Sequence, residues 1–198
     1  MLADLSHMCP WWLAPVLDNP IRRLIHNPEK ILSGYIGNGQ TVLDLGCGSG
    51  TFTISLAKMV GETGKVIAVD VQDEMLQVVR KKAIKEGLES RIITFKSVSN
   101  KIGISNKVDF ALAFYMVHEV PNSEAFLKEV AALLKPKGKL LIVEPKFHVS
   151  ASSFKRTLEA AQLAGLKAIS EPQIRFSRSM LFQQKSNLPY HAQHFASH

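Results

Sequence analysis

Cysteine is scarce in this sequence, and long apolar runs are missing from it. Only Cys9 and Cys47 occur, too few for a disulfide framework or a four-ligand metal site. No stretch approaches the roughly 18 consecutive apolar residues of a membrane-spanning helix. The start, Met1–Asp4, lacks the basic and then apolar regions of a signal peptide. We therefore expect no bound metal, no membrane span and a reducing, cytoplasmic location.

Acidic residues are outnumbered by basic ones, which gives a net charge of +7. A basic balance is compatible with RNA, a membrane surface or an anionic substrate as partner. The cations are dispersed, however, and Arg80–Lys82 with Lys85 end a predicted helix, where cations complement the helix dipole. We therefore expect a small-molecule substrate rather than a nucleic acid. The oligomeric state is left open.

The most informative stretch begins with the β-branched and apolar run Thr41–Leu45, as expected of a strand buried on both faces of a parallel sheet. It continues with glycine at alternate positions, namely Gly46, Gly48 and Gly50. Glycine permits positive φ angles and lets a ligand approach the backbone closely. The helix predicted to begin at Thr51 offers unpaired N–H groups at its start. The pattern predicts a strand, a turn and a helix that hold a small polar ligand.

Two carboxylates indicate which ligand this is. The glycine spacing departs from the dinucleotide fingerprint, because Thr51 occupies the position of the third small residue. Asp44 precedes the first glycine by two residues, where a carboxylate suits an ammonium group better than a pyrophosphate. Asp70 ends the next apolar run, 20 residues past Gly50, where a carboxylate can accept both ribose hydroxyls. An amino-acid head joined to a ribose points to S-adenosylmethionine.

The stretch Asp44–Gly50 together with Asp70 resembles the cofactor motifs of the class I S-adenosylmethionine-dependent methyltransferases. Within them, the chain is similar to the small ubiquinone/menaquinone-biosynthesis-type branch, and the resemblance covers roughly Asn27 to Gln184. It implies an enzyme that uses S-adenosylmethionine and releases S-adenosylhomocysteine. Many relatives carry an acidic residue after the third strand, whereas this chain has Ser97 and Val98 there.

The resemblance also implies a role for each matching position. Asp44 and Gly46 would face the amino-acid part, Gly48 and Gly50 would permit close approach, and Asp70 would hold the ribose. Around the adenine it implies Val71, Met75, Ser97 and Val98. Phe114 and Tyr115, which end the fourth strand, would lie near the sulfonium and the methyl group.

His118 is the main candidate for a general base, because an unperturbed histidine titrates near neutral pH and His118 follows the fourth strand. The alternative, that it is a packing or hydrogen-bonding residue, stays open. Tyr115 is a second candidate catalytic residue. Glu119 is interpreted as a solvated or structural carboxylate.

The alternation of strands and helices predicts an α/β fold, a doubly wound Rossmann-like sheet of seven mainly parallel strands with helices on both faces. The last strand follows the sixth without a helix between them, so we expect it to be antiparallel. The expected organisation is an N-terminal helical and aromatic segment (1–36), a methyltransferase domain (37–185) and a flexible tail (186–198). Trp11 and Trp12 are interpreted either as a lid over the substrate or as a cover of the core.

The predicted function is methyl transfer by in-line displacement to a small acceptor, with a lipophilic molecule as the candidate. The alternatives are an RNA or protein methyltransferase and a non-catalytic S-adenosylmethionine-binding scaffold. The fourth strand does not end in the Asn/Asp-Pro-Pro-Tyr/Phe motif used for exocyclic amino groups of bases. The acceptor atom, whether C, N, O or S, cannot be deduced from these residues.

Overall fold

The computed structural model describes residues 25–98 and 101–185, which form a seven-stranded sheet flanked by helices. The strands are β1 (Thr41–Leu45), β2 (Lys65–Asp70), β3 (Ile92–Lys96), β4 (Val108–Phe114), β5 (Leu134–Pro145), β6 (Leu166–Ser170) and β7 (Ser177–Gln184). The helices are α1 (Pro28–Leu32), α2 (Thr51–Met59), α3 (Asp73–Lys85), α4 (Ser123–Leu133) and α5 (Ala151–Leu163). A single turn of 3₁₀ helix, Val117–Glu119, follows β4.

The strand order is β3-β2-β1-β4-β5-β7-β6, with β1 to β5 parallel and β7 antiparallel to both of its neighbours. The predicted doubly wound sheet with an antiparallel last strand is confirmed. The carboxyl ends of β1 and β4 lie side by side at the centre, where the strand order reverses direction. Open α/β sheets hold ligands outside the carboxyl ends of their strands at such a point.

Each face of the sheet has its own apolar core. On one face, Leu43 and Leu45 pack with alternate residues of β4 and β5 against α4 and α5. On the other, Val42 and its sheet neighbours pack against α1 and α2. Since successive side chains of a strand point to opposite faces, Asp44 shares the face of Val42 and points toward α2. The two-sided burial explains why apolar residues of β1 point to both faces of the sheet.

Two predicted boundaries were wrong. The Asn27–Pro28 pair predicts a helix over about 28–36. The observed helix ends at Leu32, because Gly34 disfavours further helix and the N–H groups of Tyr35 and Ile36 both donate to the Leu32 carbonyl. The composition of Lys135–Gly138 predicts a turn before a strand at Lys139, but this segment is an irregularity inside β5.

That irregularity has a simple cause. Val108 pairs with Leu134, whereas Phe110 pairs with Lys139, so the extra residues bulge out of the ladder. A positive φ at Lys137 accommodates the bulge. A Cβ at Gly138 would lie 2.8 Å from the Lys135 carbonyl oxygen, so a larger residue does not fit at this position.

Several predictions lie outside the described residues. These are the Trp11–Trp12 lid or cover, the tail from 186, and most of a helix that the Asn19–Pro20 pair predicts over about 20–26. Within residues 25–98 and 101–185, every helix is too short or too polar to cross a bilayer.

Candidate active site

The carboxyl end of β1 places a buried carboxylate beside the glycine turn. Asp44 is 2% exposed, and the Thr53 hydroxyl of α2 donates a 2.6 Å hydrogen bond to its Oδ2. Burial raises the pKa of Asp44 to about 7, and the nearby Asp70 charge adds to the rise, while the Thr53 hydrogen bond opposes it. Asp44 is therefore poised to ionise when a positive group arrives.

The three glycines of the turn all have positive φ angles, but their surroundings differ. A Cβ at Gly46 would lie 2.8 Å from Met116 Cβ, and one at Gly50 would lie 2.8 Å from Val79 Cγ2. A Cβ at Gly48 would meet no atom within 4 Å, because it would point into open space. Gly46 and Gly50 thus permit close packing of the protein, whereas Gly48 leaves its backbone accessible to a ligand.

Asp70 fixes the position of this turn. Its Oδ2 accepts the Gly48 N–H at 2.9 Å, and its Oδ1 accepts the Gln72 N–H at 2.9 Å. Burial raises the pKa of Asp70, and the backbone hydrogen bonds oppose the rise. A carboxylate offers about four acceptor sites, so these two bonds leave room for further donors. The ribose-binding role of Asp70 stays a prediction, to which the structure adds a link between β2 and the glycine turn.

A cavity of about 610 Å³ opens over the carboxyl ends of β1 and β4. Such a volume lies within the roughly 300–1,000 Å³ typical of small-molecule sites. It brings together seven of the predicted site residues: Asp44, Gly46, Gly48, Met75, Phe114, Tyr115 and His118. The other five, Gly50, Asp70, Val71, Ser97 and Val98, lie outside its lining. The Val98 side chain is exposed.

Two aromatic side chains at the outer part of the cavity were missed by the sequence analysis. Phe147 follows β5 and is 83% exposed, while Phe176 precedes β7 and is 52% exposed. Exposed aromatic residues at a cavity indicate a surface that binds apolar groups. The sequence signal was present, since Phe147 follows the fifth predicted strand and Phe176 lies at the start of the last one, predicted over about 175–184. Only the antiparallel pairing of β7 with β5 brings the two residues to one edge.

Tyr115 lies where the chain leaves β4, with a φ of 60° that is uncommon for a residue other than glycine. Its hydroxyl lies 2.6 Å from Ser177 Oγ and 3.1 Å from His26 Nε2, and His26 Nε2 is also 2.9 Å from the Arg175 carbonyl oxygen. These contacts tie the end of β4 to the start of β7. The catalytic role of Tyr115 stays a prediction.

His118, in the 3₁₀ turn after β4, contacts a carboxylate that the sequence analysis did not consider. Its Nδ1 lies 2.5 Å from Oε2 of Glu144, which is 1% exposed near the end of β5. His118 and Glu144 are 26 residues apart, and only the parallel pairing of β4 with β5 brings them together. The His148 ring packs edge-on against His118, with centroids 5.0 Å apart.

Comparison with known proteins is consistent with this geometry. A family model described as a methyltransferase domain matches residues 36–193. The structure resembles a crystal structure of a SAM-dependent methyltransferase from Aquifex aeolicus, with a TM-score of 0.80 and 30% identity over 89% of this chain and 99% of that one. The chain belongs to the class I S-adenosylmethionine-dependent methyltransferases.

Two further relatives show how far this likeness extends. The methyltransferase is 34% identical to the ubiquinone/menaquinone biosynthesis C-methyltransferase UbiE of Salmonella arizonae over 110 residues. These residues make up 55% of this chain. The chain covers 44% of the length of that relative. An Aeropyrum pernix fibrillarin, solved with natively bound S-adenosyl-L-methionine, shares only the fold, at 15% identity over 75% of this chain and 68% of that one, with a TM-score of 0.60.

The residues of the methyltransferase fit its cofactor, S-adenosylmethionine. The open space beside Gly48 admits a ligand against the backbone. Asp44 places a buried carboxylate on the cavity wall, where it can accept from the amino group of a ligand. The thioether of Met75 and the ring of Phe114 add apolar surface to the lining of the same cavity. When bound, the cofactor supplies a methyl group on a positively charged sulfur, which needs a nucleophile aligned behind it.

Proposed function

We propose that this methyltransferase methylates a small, mainly apolar acceptor that binds in the outer part of the cavity. The observation that carries the proposal is the continuity of one cavity from Asp44 and Gly48 to Phe147 and Phe176. Asp44 and the Gly48 backbone suit a polar, charged ligand, whereas the exposed rings of Phe147 and Phe176 offer aromatic surface. Cavities of this kind bind ligands through apolar walls and a few well-placed polar groups.

The relative from Salmonella arizonae supports an acceptor of this class. It is named as a C-methyltransferase of ubiquinone and menaquinone biosynthesis. Its matched segment spans less than half of its length, so the acceptor atom does not transfer with the match. We infer only the shared class, a small acceptor with apolar surface and one reactive position.

The cavity residues of this chain have separate tasks in this proposal. Asp44 and the Gly48 backbone hold the cofactor, which fixes the direction in which the methyl group points. Phe147 and Phe176 hold the acceptor and reduce the access of water. Alignment of the reacting groups can contribute up to about 7–11 kcal/mol to lowering the barrier in the best intramolecular cases.

The test follows labelled methyl groups from S-adenosylmethionine into three fractions of a cell extract: small molecules, RNA and protein. We expect label in the organic-soluble small-molecule fraction. Label confined to RNA or protein would overturn the proposal in favour of a macromolecular acceptor. Cofactor binding without transfer to any fraction would indicate a scaffold protein instead.

A double variant, Phe147→Ser with Phe176→Ser, tests the acceptor site itself. We expect the KM for an acceptor found in the extract to rise about tenfold or more, since two apolar contacts are lost. The Kd for S-adenosylmethionine should stay within about twofold, because both side chains are largely exposed, whereas the Asp44 carboxylate proposed to hold the cofactor is buried. Leu163→Ser, which removes an apolar side chain that is 75% exposed on α5, is the matched control and should change neither constant.

A further inference from the structure

Glu144 and His118 form a hydrogen-bonded pair beside the cavity. The two oxygens of Glu144 accept from the same residue: Oε2 from the ring Nδ1 at 2.5 Å and Oε1 from the His118 backbone N–H at 3.3 Å. The Glu144 side chain is 1% exposed and that of His118 is 17% exposed. A carboxylate withdrawn from water in this way needs partners that offset its desolvation.

The contact determines which ring nitrogen carries the proton. An ionised carboxylate can only accept hydrogen bonds, so Nδ1 of His118 must be the donor. In the neutral ring, Nε2 then has no proton and presents its lone pair as an acceptor. Oε1 of Glu119 lies 4.0 Å from Nε2, beyond direct hydrogen-bond distance.

The charges around the ring favour proton uptake. Burial lowers the pKa of His118, but the hydrogen bond and charge of Glu144, together with the charge of Glu119, outweigh it and raise the pKa above its usual value. His148 packs against the ring from the segment after β5. Arg178 of β7 lies opposite Glu144 in the sheet, but its Nε donates to the Val149 carbonyl.

We propose that His118 is the general base of the methyl transfer and that Glu144 is the positioning residue that presents its Nε2 to the acceptor. The proposal rests on the proposed function and narrows its acceptor to a group that must lose a proton, a hydroxyl or an acidic C–H. The acceptor proton moves to Nε2 as the new bond to the methyl carbon forms. The methyl–sulfur bond breaks, and its electron pair stays on sulfur.

The proposal predicts which nitrogen of the His118 ring carries the proton and how the pKa of the ring depends on Glu144. The first test is ¹⁵N NMR of the histidine rings without substrate, with the His118 signals assigned by their loss in His118→Gln. We expect neutral His118 to carry its proton on Nδ1. In Glu144→Gln, the pKa of His118 should fall by about one pH unit or more, because the ring loses an adjacent opposite charge.

Glu129→Gln is the matched control. Glu129 also accepts two backbone N–H bonds, from Ile102 and Gly103, but it lies outside the lining of the cavity. Its substitution should leave the His118 titration unchanged. A neutral His118 that is protonated on Nε2 in the unmodified protein would overturn the proposal, and this measurement does not depend on the folding of any variant.

The second test is the pH dependence of kcat. Because the base must be neutral, kcat should rise as the pH increases through the pKa of His118 and then level off. His118→Gln should lower kcat by about 10²- to 10⁴-fold with little change in the Kd for S-adenosylmethionine. Glu144→Gln should move the rising limb to lower pH and reduce the plateau by about tenfold or more.

A structural role for Glu144 predicts a different pattern. The variant would then lose thermal stability and total activity, but the rising limb of kcat would stay where it is, and that result would overturn the proposal. Failure of the proposed function gives a different result. No label is then transferred to small molecules, while neutral His118 still carries its proton on Nδ1 and its pKa still falls in Glu144→Gln.

Discussion

At the scale of single residues, Asp44 links cofactor binding to proton release. Its pKa is raised to about 7, chiefly by burial, so below neutral pH the carboxyl group is protonated in the free protein. A bound ammonium group favours the ionised form. We therefore expect the affinity for S-adenosylmethionine to increase as pH rises from about 5 to 7 and to level off above that range.

Calorimetry in buffers of different ionisation enthalpy measures this proton release directly. Asp44→Asn should abolish most of it and weaken binding about 10- to 100-fold, the usual value of a hydrogen bond to a charged group. His118→Gln separates the contribution of His118, another titrating group on the cavity wall. Proton release that persists undiminished in Asp44→Asn would show that Asp44 is not the linked group.

The same substitution should have the opposite effect on the stability of the free protein. The unfolded carboxyl has its ordinary pKa of 3.8 and the folded one a pKa of about 7. The folded state therefore holds the proton more tightly, and the free energy of unfolding falls as pH rises through this interval. Above pH 7, Asp44→Asn should stabilise the protein on the order of a few kcal/mol, visible as a higher Tm.

Asp109→Asn provides the contrast. The Asp109 carboxylate accepts from the Thr41 N–H at 2.9 Å and from Lys135 Nζ at 2.8 Å, so its charge is compensated in the folded state. Asp109→Asn should therefore lower the Tm under the same conditions in which Asp44→Asn raises it. A lower Tm for Asp44→Asn at about pH 8 would show that the buried charge is not costly.

At the scale of elements, the strand–turn–helix unit of β1 and α2 can be tested with a matched pair of glycines. Gly48 and Gly87 have similar φ angles of +52° and +64°, and a Cβ at either would meet nothing within 4 Å. Alanine at each position should therefore cost a similar 1–2 kcal/mol, roughly the penalty of a left-handed conformation. Only Gly48→Ala should weaken S-adenosylmethionine binding, because only Gly48 lines the cavity.

Thermal unfolding measures the stability cost of each alanine variant, and calorimetry measures its affinity for S-adenosylmethionine. We expect a comparable decrease in Tm for Gly48→Ala and Gly87→Ala, and a loss of affinity of at least about tenfold for Gly48→Ala alone. Equal affinities in the two variants would contradict the assignment of the open space beside Gly48 to the cofactor.

Most of the elements could be predicted from local sequence. The apolar runs gave β1, β2 and β4, and the periodicity of Met75, Val79 and Ala83 gave α3, since local propensity and burial agree there. The antiparallel direction of β7 followed from the lack of a helix after β6. The bulge inside β5 could not be predicted, because Lys135–Gly138 has turn-forming residues and only its pairing with β4 shows that the strand continues.

The candidate site was predictable to a smaller extent. Asp44 and Gly48 belong to one motif at the end of β1, Phe114 ends β4, and the structure brings all three to one cavity. Contacts between distant residues carry no local signal. The Thr53 hydroxyl that holds Asp44 and the Glu144 carboxylate that holds His118 both depend on how the elements pack.

At the scale of the whole molecule, the charge distribution bears on the class of acceptor. The net charge is +7, yet many of the described cations are occupied by the protein itself. Lys58 and Lys135 pair with Glu86 and Asp109. Lys65, Lys82 and Lys107 donate to backbone carbonyls. Cations that cap carbonyls or pair with acids are poorly placed to neutralise a row of phosphates.

We therefore expect only weak, non-specific retention of RNA, with a Kd of about 10⁻⁴–10⁻⁶ M at physiological salt. Filter binding of a structured RNA across a salt series, with and without S-adenosylmethionine, measures it. The Asp44→Asn variant separates a catalytic complex from simple charge attraction, because it should bind the cofactor about 10- to 100-fold more weakly but keep any electrostatic retention of RNA. Tight binding of RNA that requires the cofactor and is lost in Asp44→Asn would contradict the small-molecule acceptor and favour a macromolecular one.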